Sequence, residues 1–141
     1  MMLTDQQIIV RLIVSVILSG LIGFERELHK RTAGLRTHML VCVGSTLIML
    51  TSLYVFDIYN ATVPLDPTRI AAGVVTGIGF LGAGAILRSR EGAVQGLTTA
   101  ASIWVVSGLG LAIGCGFYTA SFTTCVLVLF ILHILRYLEP K

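Results

Sequence analysis

The sequence predicts an all-α membrane protein, a compact bundle of about five transmembrane helices in a single domain. Three observations carry this prediction. Of the 141 residues, 55% are hydrophobic and only 12% charged, with a mean hydropathy of +0.91, whereas soluble domains carry roughly a quarter charged residues. The apolar residues fall in five runs of 17 to 20 residues, lengths that approach or reach the hydrocarbon core of a bilayer at about 1.5 Å of rise per residue. Polar segments rich in Lys, Arg, Pro and Gly separate the runs.

The first run, Ile8 to Phe24, is interrupted only by Arg11, which lies near one end and is expected to snorkel to the headgroups. It follows Asp5 without a basic flank, so it reads as a retained span and not a cleavable signal. A polar connection, Glu25 to Arg36, leads to the second run, Thr37 to Phe56. The loop from Asp57 to Thr68 contains Asn60, Pro64, Asp66 and Pro67, which favour turns.

The third run, Ile70 to Leu87, carries no charge, no proline and five glycines, Gly73, Gly77, Gly79, Gly82 and Gly84. Gly73-x-x-x-Gly77 is a small-x-x-x-small helix contact pattern, so this helix is expected to be the hub on which the others pack. Gly77, Gly79 and Gly82 also spell the G-x-G-x-x-G dinucleotide fingerprint. That motif needs a strand, a tight turn and a soluble helix around it, and an uninterrupted apolar run supplies none of them.

A polar turn, Arg88 to Gln95, precedes the fourth run, Leu97 to Ile113, whose Thr98, Thr99, Ser102 and Ser107 suit close packing. Trp104, deep in that run, is expected to pack. Gly114 to Gly116 permit a reversal into the fifth run, Phe117 to Leu135, whose Val, Leu, Ile and Phe content suits a lipid-facing helix. No soluble domain is expected after it. Cys42, Cys115 and Cys125 lie in or beside apolar runs without metal-ligand or C-x-x-C spacing, and are expected to act as small hydrophobes.

Five spans place the termini on opposite sides. One side holds eight basic residues, Arg26, Lys30, Arg31, Arg36, Arg88, Arg90, Arg136 and Lys141, against two, Arg11 and Arg69, on the other. The positive-inside rule therefore predicts an outside amino terminus and a cytoplasmic carboxyl terminus. The net charge of +3 and pI near 9.0 serve this orientation; no basic stripe interleaved with aromatics points to nucleic acid.

Sliding the chain by 62 residues aligns Gly20 with Gly82, Arg26 with Arg88, Gly34 with Gly96, Leu35 with Leu97, Thr37 with Thr99 and Ser45 with Ser107. The expectation is two parallel two-helix repeats plus a fifth helix. Gly34-Leu35-Arg36-Thr37 and Gly96-Leu97-Thr98-Thr99 then both lead into helices from the cytoplasmic side, where N–H groups and threonine hydroxyls could seat a carboxylate or phosphate. Glu25, flanked by Arg26 and Arg88, is the expected internal partner, and an interfacial ion pair with Arg26 is its plainer role. Asp66 and Arg69 could frame an external ion site, but Asp66 before Pro67 fits a helix N-cap better. His29, His38 and His133 read as solvated or interfacial.

Gly23-Phe24-Glu25-Arg26, Ala33-Gly34-Leu35-Arg36-Thr37-His38, Asp66-Pro67 with Arg69-Ile70-Ala71-Ala72, the run Gly77 to Ile86, and Gly96-Leu97-Thr98-Thr99-Ala100-Ala101 with Trp104 together resemble the MgtC/SapB family of bacterial membrane proteins. The resemblance covers most of the chain from Gly20 to Gly114. It implies a bacterial inner-membrane protein without enzymatic activity or cofactor, tied to magnesium homeostasis and, in pathogens, to virulence. It further implies action on other membrane proteins, namely a magnesium-transporting P-type ATPase and the F-type ATP synthase. Many members carry a soluble domain after the last helix, and this chain reads RIAAG at Arg69 to Gly73 where relatives often read RIAAQ.

Three functions are open to such a chain. A regulatory module acts through glycine faces as a homodimer or on partner helices. A small cation transporter or channel is the alternative, opposed by the absence of acidic residues at mid-span. No nucleophile and base, ligand cluster or paired carboxylates assemble to suggest an enzyme.

Overall fold

The computed structural model describes residues 3–59, 62, 64–88 and 94–135, with Leu87 and Arg88 described as backbone only. It is an all-α bundle of five helices: α1 Asp5–Leu28, α2 Leu35–Tyr59, α3 Thr68–Gly84, α4 Leu97–Cys115 and α5 Tyr118–Ile134. The third helix stops at Gly84, three residues short of the expected Leu87. Leu87–Arg88 (β1) instead pairs antiparallel with Val94–Gln95 (β2), at the two ends of the expected polar turn. Arg90, Arg136 and Lys141, used in the charge comparison, and the side chain of Arg88 lie outside the described residues.

Local chemistry sets the helix ends. Thr4 opens α1 with a reciprocal capping box, Gln7 N–H donating to Thr4 Oγ1 at 3.3 Å and Thr4 N–H to Gln7 Oε1 at 3.0 Å. At its other end Lys30 N–H donates to the Glu27 carbonyl and Arg31 N–H to the Arg26 carbonyl, with Lys30 at φ 51°. This is a Schellman termination with lysine in the left-handed position that glycine fills more cheaply. Gly116, at φ 82°, ends α4 in the same way, with Phe117 N–H returning to the Ala112 carbonyl. Before α3, Pro67 already has helical dihedrals, and Asp66 Oδ1 accepts from Thr68 N–H at 2.8 Å and from the Thr68 hydroxyl at 2.6 Å.

Helices α1, α2 and α4 are long and apolar enough to cross a membrane; α3 and α5, at 17 residues, are shorter. The protein is a multi-pass membrane protein. Its helices alternate in direction, and α2 and α4 run parallel, with His38 against Ser102, Thr46 against Gly110 and Met49 against Gly114. The described ends of the chain consequently lie at opposite ends of the bundle.

The centre is the α2–α4 pair, followed by α1–α2. This overturns the expectation that α3 is the hub. Only Ile78 and Gly82 of α3 are buried, and it touches α4 and α2 from outside. A β-carbon on Gly73, Gly77, Gly79 or Gly84 would meet nothing within 4 Å, and one on Gly82 would make ordinary contact with Ala100 at 3.8 Å. The closely packed glycines lie elsewhere. A β-carbon on Gly110 would overlap the Cys42 carbonyl oxygen, and one on Gly114 would lie 2.6 Å from Met49 Cβ. Gly110-x-x-x-Gly114 is thus the small-x-x-x-small surface that joins helices within the chain. Gly20 has only ordinary contact with Leu35 and Met39 at 3.9 Å, whereas a β-carbon on Gly23 would come within 2.8 Å of Leu35 Cα.

The interior sets small and hydroxyl residues among aliphatic ones such as Ile22, Val106, Leu109 and Ile113, while most aromatic side chains face outward. Ser15, Ser19, Thr46, Ser52, Ser107 and Ser121 are buried and each donates to a backbone carbonyl. Phe24, Phe80, Trp104, Phe122, Val126 and Phe130 are at least half exposed. Lipid is as apolar as a core, so large side chains gain nothing by facing inward, and helices meet where side chains are small. Trp104 accordingly faces outward, contrary to its expected packing role.

Arg11 also departs from expectation. It does not snorkel outward but is buried, its guanidinium donating to the Gly114 carbonyl at 2.6 Å. A cation there meets the negative pole and unpaired carbonyls of the α4 terminus.

Candidate functional site

The polar end of the bundle gathers the end of α1, the starts of α2 and α4, and the last turn of α5. Glu25 and Arg26, adjacent in sequence, form an ion pair between Oε2 and Nε, with both residues buried. Arg26 also reaches the Leu132 carbonyl of α5 at 3.4 Å, so the pair is an inter-helix tie and not the interfacial pair expected. Glu25 Oε1 is buried and makes no hydrogen bond; His29 Nδ1 lies 2.9 Å from it and 2.8 Å from the Glu25 carbonyl. His133 of α5 completes the group, its ring 6.1 Å from that of His29.

The Gly34 to Thr37 mouth already holds a carboxylate of this chain. Glu27 Oε2 accepts from Leu35 N–H at 2.9 Å, and a β-carbon on Gly34 would lie 2.8 Å from that oxygen. The internal partner is therefore Glu27, not Glu25, because Glu25 points inward to Arg26. Arg36 and Thr37 are exposed. At the second mouth, Gly96 takes φ 90° and lies against the Ala85 carbonyl, where no side chain fits. Thr98 is exposed; Thr99 is buried, and its carbonyl accepts from Ser102 at 2.8 Å.

Gly34 and Gly96 thus share a role, each preceding one of the two parallel helices and each lying against the end of the helix before. Their backbones differ, since only Gly96 is left-handed.

Between the mouths, His38 is fully buried, not interfacial as expected. Its Nδ1 is 2.8 Å from the Gly34 carbonyl and its Nε2 3.0 Å from Ser102 Oγ. The histidine joins the two parallel helices at their starts. The 62-residue offset places His38 opposite Ala100, two positions from its partner.

At the opposite end, Asp66 and Arg69 are both exposed and line a pocket of about 300 Å³ with Ser52, Phe56, Pro64 and Leu65. The Asp66 carboxyl is held below its ordinary range, first by the Thr68 hydroxyl and then by the Thr68 N–H. Gly73 and Gly77 border an apolar groove of about 670 Å³ between α2 and α3, facing Leu40, Gly44 and Ile48.

Comparison with known proteins gives a consistent picture. The model of the MgtC family matches residues 12–141. The chain is 47% identical over 134 residues to YhiD of Escherichia coli (strain K12), whose name proposes a magnesium transporter, covering 94% of this chain and 62% of that protein. It is 36% identical over 140 residues to the protein SapB of Bacillus subtilis (strain 168), covering 97% and 60%. With the protein MgtC of Salmonella typhimurium (strain LT2) it shares 41% identity over 121 residues, covering 86% and 49%. The chain thus spans between about half and three-fifths of the length of these relatives. No solved structure gives a significant match.

Proposed function

Because the chain belongs to the MgtC family, we propose that it is a non-catalytic protein of the bacterial inner membrane that serves magnesium homeostasis by regulating other membrane proteins. Its partners under this reading are a magnesium-transporting P-type ATPase and the F-type ATP synthase, and in a pathogen the same regulation supports virulence. The chain sits with its amino terminus outside and acts as a homodimer, for which the open glycine face of α3 is suited.

The interior carries this choice over transport. Among the described residues Glu25 is the buried carboxylate, and one of its oxygens is committed to Arg26. The buried hydroxyls of Ser15, Ser19, Thr46 and Ser107 bond backbone carbonyls. A strongly hydrated dication needs oxygens to replace its water, and carbonyl rings or acidic side chains usually provide them. Transport of magnesium is the second reading, favoured by the name of the relative YhiD.

Reconstitution into liposomes containing a magnesium-sensitive dye separates the two. Regulation predicts no flux above empty vesicles, together with altered activity of the P-type ATPase when both proteins share a vesicle. Flux carried by the chain alone would overturn it. Native mass spectrometry from mild membrane mimetics tests the dimer, and a purely monomeric spectrum would remove that part.

A further inference from the structure

We propose that Glu25, His29 and His133 form a binding site for a first-row divalent metal ion of the zinc class, at the end of the bundle where α1 meets α5. One donor atom from each residue lies within 4.8 Å of the other two. Glu25 and His29 are four residues apart in α1 and its cap, which brings them to one face. His133 is brought in by a different element, since Arg26 bonds the carbonyl of neighbouring Leu132.

The second observation is the state of the carboxylate. Glu25 is 7% exposed, and its two oxygens have different surroundings. Oε2 is paired with Arg26, while Oε1 is buried without a hydrogen bond and directed toward the histidines. A buried carboxylate oxygen whose neighbour is only the His29 ring is costly, and a cation on that side removes the cost. The Arg26 contact then has the part that outer hydrogen bonds play at metal centres, fixing the orientation of a ligating carboxylate.

Donor identity selects the metal. Two imidazoles and one carboxylate suit zinc and its neighbours, with bonds of about 2.0–2.2 Å and water as a fourth ligand. Magnesium prefers octahedral oxygen and keeps its water, so this site is distinct from the magnesium-linked role and does not rest on it. Bringing donors from 4.8 Å apart to tetrahedral separation requires a closure of about 1.5 Å. His133, exposed in the last turn of α5, is placed to make it. Occupancy would cross-link the end of α5 to α1.

The test uses the full chain, purified without a histidine tag and held in nanodiscs, with zinc chloride as probe. Equilibrium dialysis with elemental analysis is expected to give one zinc per chain, unchanged by a thousandfold excess of magnesium, with a raised melting temperature. His133→Ala is expected to weaken binding at least tenfold and abolish the zinc-dependent rise, measured against its own metal-free melting temperature. His29→Gln should do likewise, and cobalt in the wild-type site should show a tetrahedral visible spectrum that His133→Ala lacks. Absence of stoichiometric zinc, equal binding by both variants, or displacement by magnesium would overturn the proposal.

Discussion

The carbonyl oxygen of Cys42 lies directly against Gly110, and the hydroxyl of Thr46 donates to the carbonyls of both residues, at 2.9 Å and 3.0 Å. Two parallel helices are here in backbone contact, held by a side chain that bonds each of them.

Gly110→Ala places a methyl group into that carbonyl, and neither backbone can yield without separating α2 from α4. Overpacking of this kind costs about 1–3 kcal/mol. Gly77→Ala, whose methyl meets nothing within 4 Å, should leave the melting temperature of the monomer unchanged. Thermal unfolding of the two variants in detergent checks the contrast, and equal effects would contradict the placement of α3.

Gly116→Ala suffers twice, because its φ of 82° is strained for alanine and its β-carbon would lie 2.8 Å from the Arg11 guanidinium. We expect a loss of about 1–3 kcal/mol. Only the second part depends on Arg11, so in a double-mutant cycle with Arg11→Ala the losses should fall short of additivity. Strict additivity would mean that the guanidinium does not occupy the position described.

Lys30→Gly relieves the left-handed φ of 51° at the end of α1. A gain of up to about 1 kcal/mol is expected after the greater entropy of glycine in the unfolded chain is counted. Denaturant titration would show it as a shifted midpoint with unchanged slope, and a loss of stability would contradict the Schellman geometry.

Asp66 gives a pH dependence of defined sign. Its folded-state pKa lies below the ordinary carboxylate value because the Thr68 hydroxyl and N–H bond the carboxylate. Its contribution is therefore present above that value and is lost as pH falls through the lower, folded one. Asp66→Asn keeps a cap but removes the titration, so the acid-side decline in melting temperature should be shallower than in the wild type. Parallel declines would exclude Asp66 as its source.

The helices were legible in the sequence because bilayer thickness imposes a length that apolar runs either meet or miss. Which faces meet one another was not legible. Gly73-x-x-x-Gly77 and Gly110-x-x-x-Gly114 present the same pattern, but the first borders an open groove and the second brings α4 against the backbone of α2. Neither hydropathy nor spacing separates them, since lipid and protein interior are equally apolar and only the neighbouring helix decides. The repeat pointed to the parallel placement of α2 and α4. It did not reveal that Glu27 caps α2, which follows from the left-handed turn at Lys30, nor that the Glu25–Arg26 pair is tied to α5, a helix more than a hundred residues away.

The parallel placement of α2 and α4 also has a meaning in time. Bonds such as His38 to Ser102 and Thr46 to Gly110 span 64 residues. At a translation rate of about 5–20 residues per second, roughly 3–13 s separate the emergence of the two partners from the ribosome. During that interval α3 must be made and inserted, while the α1–α2 hairpin waits in the membrane with the imidazole of His38 facing either lipid or whatever shields it. Biogenesis of this small protein therefore includes an interval in which the His38 and Thr46 face of α2 is complete and its cover is still being synthesised.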